Sequence, residues 1–130
     1  MKILVDTNVL CALFANPERL SEESRDTLNA AASAGELCVS VASLLQLREA
    51  RRNDLVSAAD LEKVDKWMKL HHPQILPIDM RVLASMSAAH EKESVTDRLI
   101  LATARSEECR LATFRDFHDA NIEFLNCVSG

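Results

Sequence analysis

Asp6 stands where an apolar run stops: Ile3-Leu4-Val5 gives way to Asp6-Thr7-Asn8, an acid followed by two small polar residues. A continuous β-branched and aliphatic run of this length suits a parallel strand covered on both faces. In open α/β sheets, ligands bind beyond the carboxyl ends of such strands. Asp6 therefore either faces a crevice or caps the helix that follows. A second acid, Asp97, lies in Thr96-Asp97-Arg98-Leu99-Ile100-Leu101-Ala102-Thr103-Ala104. Thr96 or Asp97 is placed there to cap a helix whose apolar residues recur at helical spacing. An acid in a first turn is favoured by the helix dipole at roughly 0.3–1 kcal/mol whatever its function. A third acid, Asp116, follows the strand-like run Arg110-Leu111-Ala112-Thr113. Three acids thus fall where elements begin or end.

Two carboxylates about 4 Å apart repel by roughly 4 kcal/mol at an effective dielectric of 20. Acids that share one crevice must therefore be protonated or bridged by cations. Oxygen donors without a His or Cys cluster favour Mg²⁺ or Mn²⁺ over Zn²⁺. Such a cation lowers the pKa of its water and braces a phosphate during in-line attack, and a second one steadies the leaving oxygen. Thr7, Asn8 and Thr113 are small polar residues fit to orient that water or a phosphate oxygen, or merely to satisfy their own loop and helix backbone. His71, His72, His90 and His118 are not at metal-site spacing from another ligand and are not expected in the site.

The elements that must position these residues alternate. A strand through Val5 and a short helix through Leu13 are followed by Pro17, then by a helix from Ser21 with Glu22 and Glu23 to near Gly35. Leu37 to Ser40 reads as a strand and Val41 to Arg52 as a helix. Ser57-Ala58-Ala59-Asp60 resembles a cap before a helix Leu61 to Leu70, with Leu61, Val64, Trp67 and Met68 on one stripe. Pro73 and Pro77 bracket a strand, Gln74 to Leu76. Asp79 starts a helix expected to run through Ala89 with Val82, Leu83 and Met86 inward. Cys109 to Ala112 and Ile122 to Leu125 supply the last strands. This order implies one α/β domain over residues 1–130, a mostly parallel sheet between helical layers.

Order and residue types together resemble the PIN domain, the metal-dependent ribonuclease fold that includes the VapC and FitB-type toxins of bacterial toxin–antitoxin pairs. The marks are Val5-Asp6-Thr7-Asn8-Val9-Leu10, Asp97-Arg98-Leu99-Ile100-Leu101-Ala102-Thr103-Ala104, Leu111-Ala112-Thr113 followed by an acid, and the ending Ala120 to Asn126. The resemblance covers nearly the whole chain. It implies a three-layer α/β/α fold, Mg²⁺- or Mn²⁺-dependent cleavage of RNA, a metal held by Asp6, Asp97 and Asp116, capture by a small antitoxin, and a homodimer. The sequence departs from the family twice. The second acid usually lies six residues after the serine that opens its helix, and here Ser40 leads to Gln46, with Glu49 one helical turn further on. Glu49 is either a substitute ligand or a surface residue pairing with Arg52 or Asn53. The acid usually found two residues after the family's threonine is replaced by Arg115, with Asp116 one place later. These departures keep a second reading open, a degenerate PIN module that binds RNA or a protein partner without cutting. A receiver-like phosphoacceptor, which also gathers acids beyond parallel strands, lacks the lysine expected after a late strand.

Composition narrows the partners. A net charge of −5 and a pI near 5.3 exclude RNA binding through a broad basic surface. Binding would be local, from metals and cations such as Arg48, Arg51, Arg52, Arg98 and Arg115. The absence of tyrosine and the scarcity of other aromatics argue against a base-stacking platform. Cys11, Cys38, Cys109 and Cys127 show no short metal-binding spacing and, for the first three, read as reduced core residues of a cytoplasmic protein. No leader-like segment stands at the start, and no apolar run is long enough to span a bilayer.

Overall fold

In the computed structural model, which describes residues 1–128, the short apolar runs pair into one sheet. Its strands are β1 (Ile3–Val5), β2 (Leu37–Ser40), β3 (Gln74–Leu76), β4 (Arg110–Thr113) and β5 (Phe124–Asn126), all parallel, in the order β3-β2-β1-β4-β5. The helices are α1 (Thr7–Ala15), α2 (Glu22–Ser33), α3 (Val41–Arg52), α4 (Ala58–His71), α5 (Met80–Ala84) and α6 (Val95–Ser106). Alternate side chains of a strand point to opposite faces, and here both faces are apolar. Ile3, Val5, Leu37, Val39 and Ala112 join Val9, Leu10, Leu28 and Val64 in the core beneath α1, α2 and α4. Leu4, Cys38 and Leu111 join Ile100, Leu101 and Ala104 of α6 on the other side. The arrangement is the α/β/α sandwich expected from the sequence.

Strand order fixes where a ligand site falls. From β1 the chain builds outward through β2 to β3, then crosses back by way of α5 and α6 to place β4 on the other flank of β1. The order reverses between β1 and β4, and at such a point the connections leave the sheet in opposite directions and open a crevice beyond the strand ends. Asp6 follows β1 immediately, and Arg115 stands two residues past β4.

Most helix starts lie where the polar caps put them. Ser21, Ser40 and Ser57 each accept a hydrogen bond from a backbone N–H of the first turn, which satisfies one of the donors a helix leaves open. α4 begins at Ala58 instead of Leu61 because Ser57 accepts from the Asp60 amide at 3.0 Å. α6 is capped by Ser94 instead of Thr96 or Asp97, since Ser94 Oγ accepts from the Asp97 amide at 3.1 Å. The helix expected to run from Asp79 through Ala89 ends at Ala84 and is followed by a short 3₁₀ turn, Ala88–His90. Ser85 Oγ donates to the Arg81 carbonyl at 2.9 Å, and Arg105 takes the Ser85 carbonyl at 2.5 Å. That carbonyl is no longer offered to a following turn. Val82 is buried as expected, whereas Leu83 is exposed. All four cysteines are free, with Cys38, Cys109 and Cys127 buried and Cys11 half-buried. No helix among the described residues is long and apolar enough to cross a membrane.

Candidate active site at the ends of β1 and β4

Asp6 is 6% exposed although it is an acid, because the turn from β1 into α1 holds it against the sheet. Its backbone N–H donates to the Ala112 carbonyl at 3.1 Å, which ties it to the end of β4. Its Oδ1 accepts from the Val9 amide at 2.8 Å, so Asp6, and not Thr7 or Asn8, caps α1. Burial raises its pKa above the ordinary 3.8, and the charge of Asp97 adds to that rise. The Thr113 hydroxyl and the amides of Val9 and Asn8 pull the other way without cancelling it. Of the two roles the sequence left open, the structure gives this carboxylate the cap of α1, close enough to Asp97 to feel its charge.

Asp97 sits in the first turn of α6, and its carboxylate points at a cation. Arg115 Nη1 donates to Asp97 Oδ2 at 2.7 Å, and Arg115 Nη2 lies 2.7 Å from Glu93 Oε2. The same guanidinium stacks over Phe117, its carbon 4.5 Å from the ring centroid. The backbone explains the aim: Arg115 N–H donates to Thr113 Oγ1 at 3.0 Å, which folds the chain back past β4 and turns residue 115 inward.

The same turn sends Asp116 outward. Its side chain is 93% exposed and its nearest charged partner is His118 at 3.8 Å, so the expected convergence of Asp116 on Asp97 is not seen. Thr113 is buried beside Asp6, and Thr7 Oγ1 donates to Ser43 Oγ at 3.0 Å, which joins α1 to α3 at the rim of the crevice. Asn8 is exposed. Gln46 is exposed one turn beyond Ser43. Glu49 pairs with Arg52 at 3.1 Å on the exposed side of α3, the surface role that the sequence allowed.

A divalent cation at this point would need several hard oxygens around one position. Asp6, Asp97 and Glu93 are of the right donor type, but Arg115 covers the two outer acids. No three acids, histidines or cysteines among the described residues are grouped to hold an ion. As arranged, these side chains hold a guanidinium and not a metal.

The PIN domain family profile matches residues 3–122. The chain belongs to the PIN-domain family. Solved structures agree with this PIN domain in fold. The VapBC2 complex from Rickettsia felis, bound to a DNA fragment from its promoter, has a chain with a TM-score of 0.77 at 16% identity, with 97% of this chain and 98% of that one covered. DNA-bound VapBC from Salmonella typhimurium gives 0.71 at 20% identity over 97% and 98%. FitAcB from Neisseria gonorrhoeae gives 0.62 at 25% identity over 95% and 96%. Among curated protein sequences, none matches. The fold of this PIN domain is thus shared with chains of VapBC and FitA–FitB type complexes.

Two features of this PIN domain escaped the sequence reading. Glu93 stands just before Ser94, the cap of α6, so that it and Asp97 of the first turn meet at one helix start around Arg115, and nothing periodic in the sequence marked it. The second is a buried knot of His90, Asp119 and Arg105: His90 Nε2 lies 2.8 Å from Asp119 Oδ2, which also takes Arg105. Burial by itself raises the Asp119 pKa. The hydrogen bonds from His90, the Asn121 amide and Arg105 outweigh it and leave the group below its usual range. Residues so far apart in sequence gave no local sign of this pairing.

Proposed function

We propose that this PIN domain is an endoribonuclease of the toxin–antitoxin kind, dependent on Mg²⁺ or Mn²⁺. The observation that carries the reading is the Asp6 carboxylate, buried at the carboxyl end of the central strand within the field of Asp97. A desolvated acid beside a second acid is costly, and function is the usual reason for retaining one. The reaction is hydrolysis of a phosphodiester, in which water adds to phosphorus as a P–O bond breaks. Asp6 and Asp97 supply the negative charge, while Thr113 and Thr7 fix polar hydrogens at the rim. Asp116 stays in the proposal as an outer acid on a loop that would have to turn inward.

The neighbours are complexes of paired VapB–VapC and FitA–FitB type proteins. We extend to this chain a small antitoxin partner and a homodimeric state, by that analogy. A cleft of about 160 Å³ between α1, α2 and α4 has a mixed lining, Leu13, Leu28 and Trp67 beside Arg25, Asn29 and His71, and would seat one side chain of such a partner.

A second reading is favoured by Arg115 and Gln46, which stand where the family has acids: a PIN module that binds RNA and does not cut. One experiment separates the two. Labelled single-stranded RNA is incubated with the purified chain in Mn²⁺, in Mg²⁺ and in EDTA. Cleavage is expected with metal only, and Asp6→Asn or Asp97→Asn should lower it by on the order of 100-fold or more. Cleavage in EDTA, or an unimpaired Asp6→Asn, would reject the metal-dependent mechanism. Binding without product favours the non-cutting module.

A further inference from the structure

Beyond the carboxyl ends of β4 and β5 a second arginine stands beside the crevice, on the side away from Arg115. The 3₁₀ turn Pro17–Arg19 leads into Leu20, which is buried and bridges Val128, and the Ser21 amide donates to the Cys127 carbonyl at 3.2 Å. The residues that follow β5 thus hold the backbone on one side of Arg19. On the other side the Arg19 amide donates to the Asn16 carbonyl at 3.1 Å. The exposed Arg19 side chain lies over the Phe114 ring, its guanidinium carbon 4.7 Å from the centroid. Phe114 follows Thr113, whose hydroxyl bonds Asp6, and packs on the α1 face of the sheet, whereas Phe117 beneath Arg115 packs on the α6 face. Burial raises the pKa of the Cys11 thiol in α1, the charges of Asp6 and Asp60 add to the rise, and Arg19 opposes it. Arg19 and Asp6 therefore act on one helix from the same end of the sheet.

The two arginines differ in what their edges hold. Arg115 spends its fork on Asp97 and Glu93, at 2.7 Å each. Arg19 rests its face on an aromatic ring and makes no ion pair or side-chain hydrogen bond among the described residues. Stacking occupies the face of a guanidinium and leaves the N–H donors around its edge, the arrangement that takes a phosphate through two parallel bonds. We propose that Arg19, seated on Phe114, holds a backbone phosphate of single-stranded RNA beside the Asp6 crevice. The inference rests on the proposed RNA function and names the side on which the strand leaves the site. Thr113 and Phe114 intervene between Asp6 and Arg19, so the phosphate on Arg19 is a neighbour of the one at Asp6 and not the same one. The strand then runs over the end of β4 toward the turn before α2.

An arginine that only shields a ring would leave RNA affinity untouched, and one that only adds charge could be replaced by any other cation. Fluorescence anisotropy with a labelled single-stranded oligoribonucleotide, in Mg²⁺ and between about 50 and 200 mM salt, separates these cases. The Asp6→Asn chain is compared with the same chain carrying Arg19→Ala, Arg19→Lys or Lys69→Ala, at a temperature where melting curves show every variant folded. Lys69 lies in the last turn of α4, which leads into β3, so its loss removes the same charge at the opposite end of the strands. Arg19→Ala should weaken binding about three- to tenfold and make the salt slope shallower by about 0.7, the share of one phosphate. Arg19→Lys, which keeps the charge and loses the flat fork, should lose part of the affinity and keep the slope. Lys69→Ala should bind as its parent does. Unchanged binding by Arg19→Ala, or a loss that Lys69→Ala matches, overturns the proposal and leaves the RNA reading standing. Binding that depends on Arg19, when the chain with Asp6 intact gives no product in Mn²⁺, sinks the nuclease reading and leaves this one. A chain that binds no RNA at any of these salt concentrations ends both.

Discussion

At the scale of single residues, the protein keeps Asp6 at a cost to its own stability. Burial disfavours the charged form, and Asp97 adds repulsion, so the folded protein holds the Asp6 proton more tightly than the unfolded chain does. Between the ordinary carboxylate value of 3.8 and the raised one, the folded state carries more protons, and stability falls as pH rises through that interval. Asparagine at this position keeps an Oδ1 acceptor for the Val9 amide and removes the charge. Asp6→Asn is therefore expected to melt a few degrees higher than the unaltered, metal-free chain at pH 7. The gain should shrink toward zero as the pH falls below the ordinary carboxylate range. Melting curves at several pH values check this, and a variant less stable than its parent at pH 7 would mean that the charged form is stabilised by partners not seen here. Asp119 is the opposite case. Its lowered pKa makes its contribution present above the unfolded value and lost in acid, so it supports the fold where Asp6 strains it.

At the scale of elements, α3 decides what the missing family acid means. Ser43 marks the side of α3 that meets α1, through its bond from Thr7. On an α-helix Gln46 lies about 60° from Ser43, whereas Glu49 lies about 120° away and about 9 Å along the axis. Glu49 is also engaged with Arg52. Glu49→Gln is therefore expected to leave Mn²⁺ affinity unchanged within about twofold, and Gln46→Glu to raise it by on the order of tenfold by restoring a charge near the crevice. Calorimetry on the two variants tests this, and a large loss in Glu49→Gln would make Glu49 the substitute ligand. How far the site was legible also follows element by element. Asp6 and Asp97 were visible because each ends or begins a run with clear periodicity, and Ser21, Ser40 and Ser57 signalled their helices through local chemistry. α5 was not, because its end depends on Arg105 reaching the Ser85 carbonyl from another helix. The direction of Asp116 was hidden for a related reason: a single bond from the Arg115 amide to Thr113 decides which of two neighbours faces inward.

At the scale of the whole molecule, the alternation of apolar runs announced a parallel sheet between helices, but it did not give the order β3-β2-β1-β4-β5 that brings β4 beside β1. That order depends on a crossover whose course is set by packing of both sheet faces and leaves no periodic mark. The charge distribution is global in the same sense. The net charge is −5, and several arginines are already engaged: Arg48 with Asp65, Arg51 with Asp54, Arg52 with Glu49, and Arg115 with Asp97 and Glu93. Lys63, Lys66, Arg81, Arg105 and Arg110 are also paired, which leaves Lys2, Arg19, Arg25, Lys69, Lys92 and Arg98, scattered along the chain, to meet a phosphate backbone. Binding of single-stranded RNA releases counterions in proportion to the phosphates neutralised, with a slope of about −0.7 per phosphate in a plot of log affinity against log salt. Contacts to about two or three phosphates then predict a slope no steeper than about −2. Fluorescence anisotropy with a labelled RNA and the cleavage-impaired Asp6→Asn chain, between about 50 and 200 mM salt, measures it. A slope near −2 or shallower places recognition in the crevice and its few local cations. A slope beyond about −4 would require more than five phosphates to be neutralised, which calls on nearly every cation outside the ion pairs at once and so on a surface far wider than the crevice.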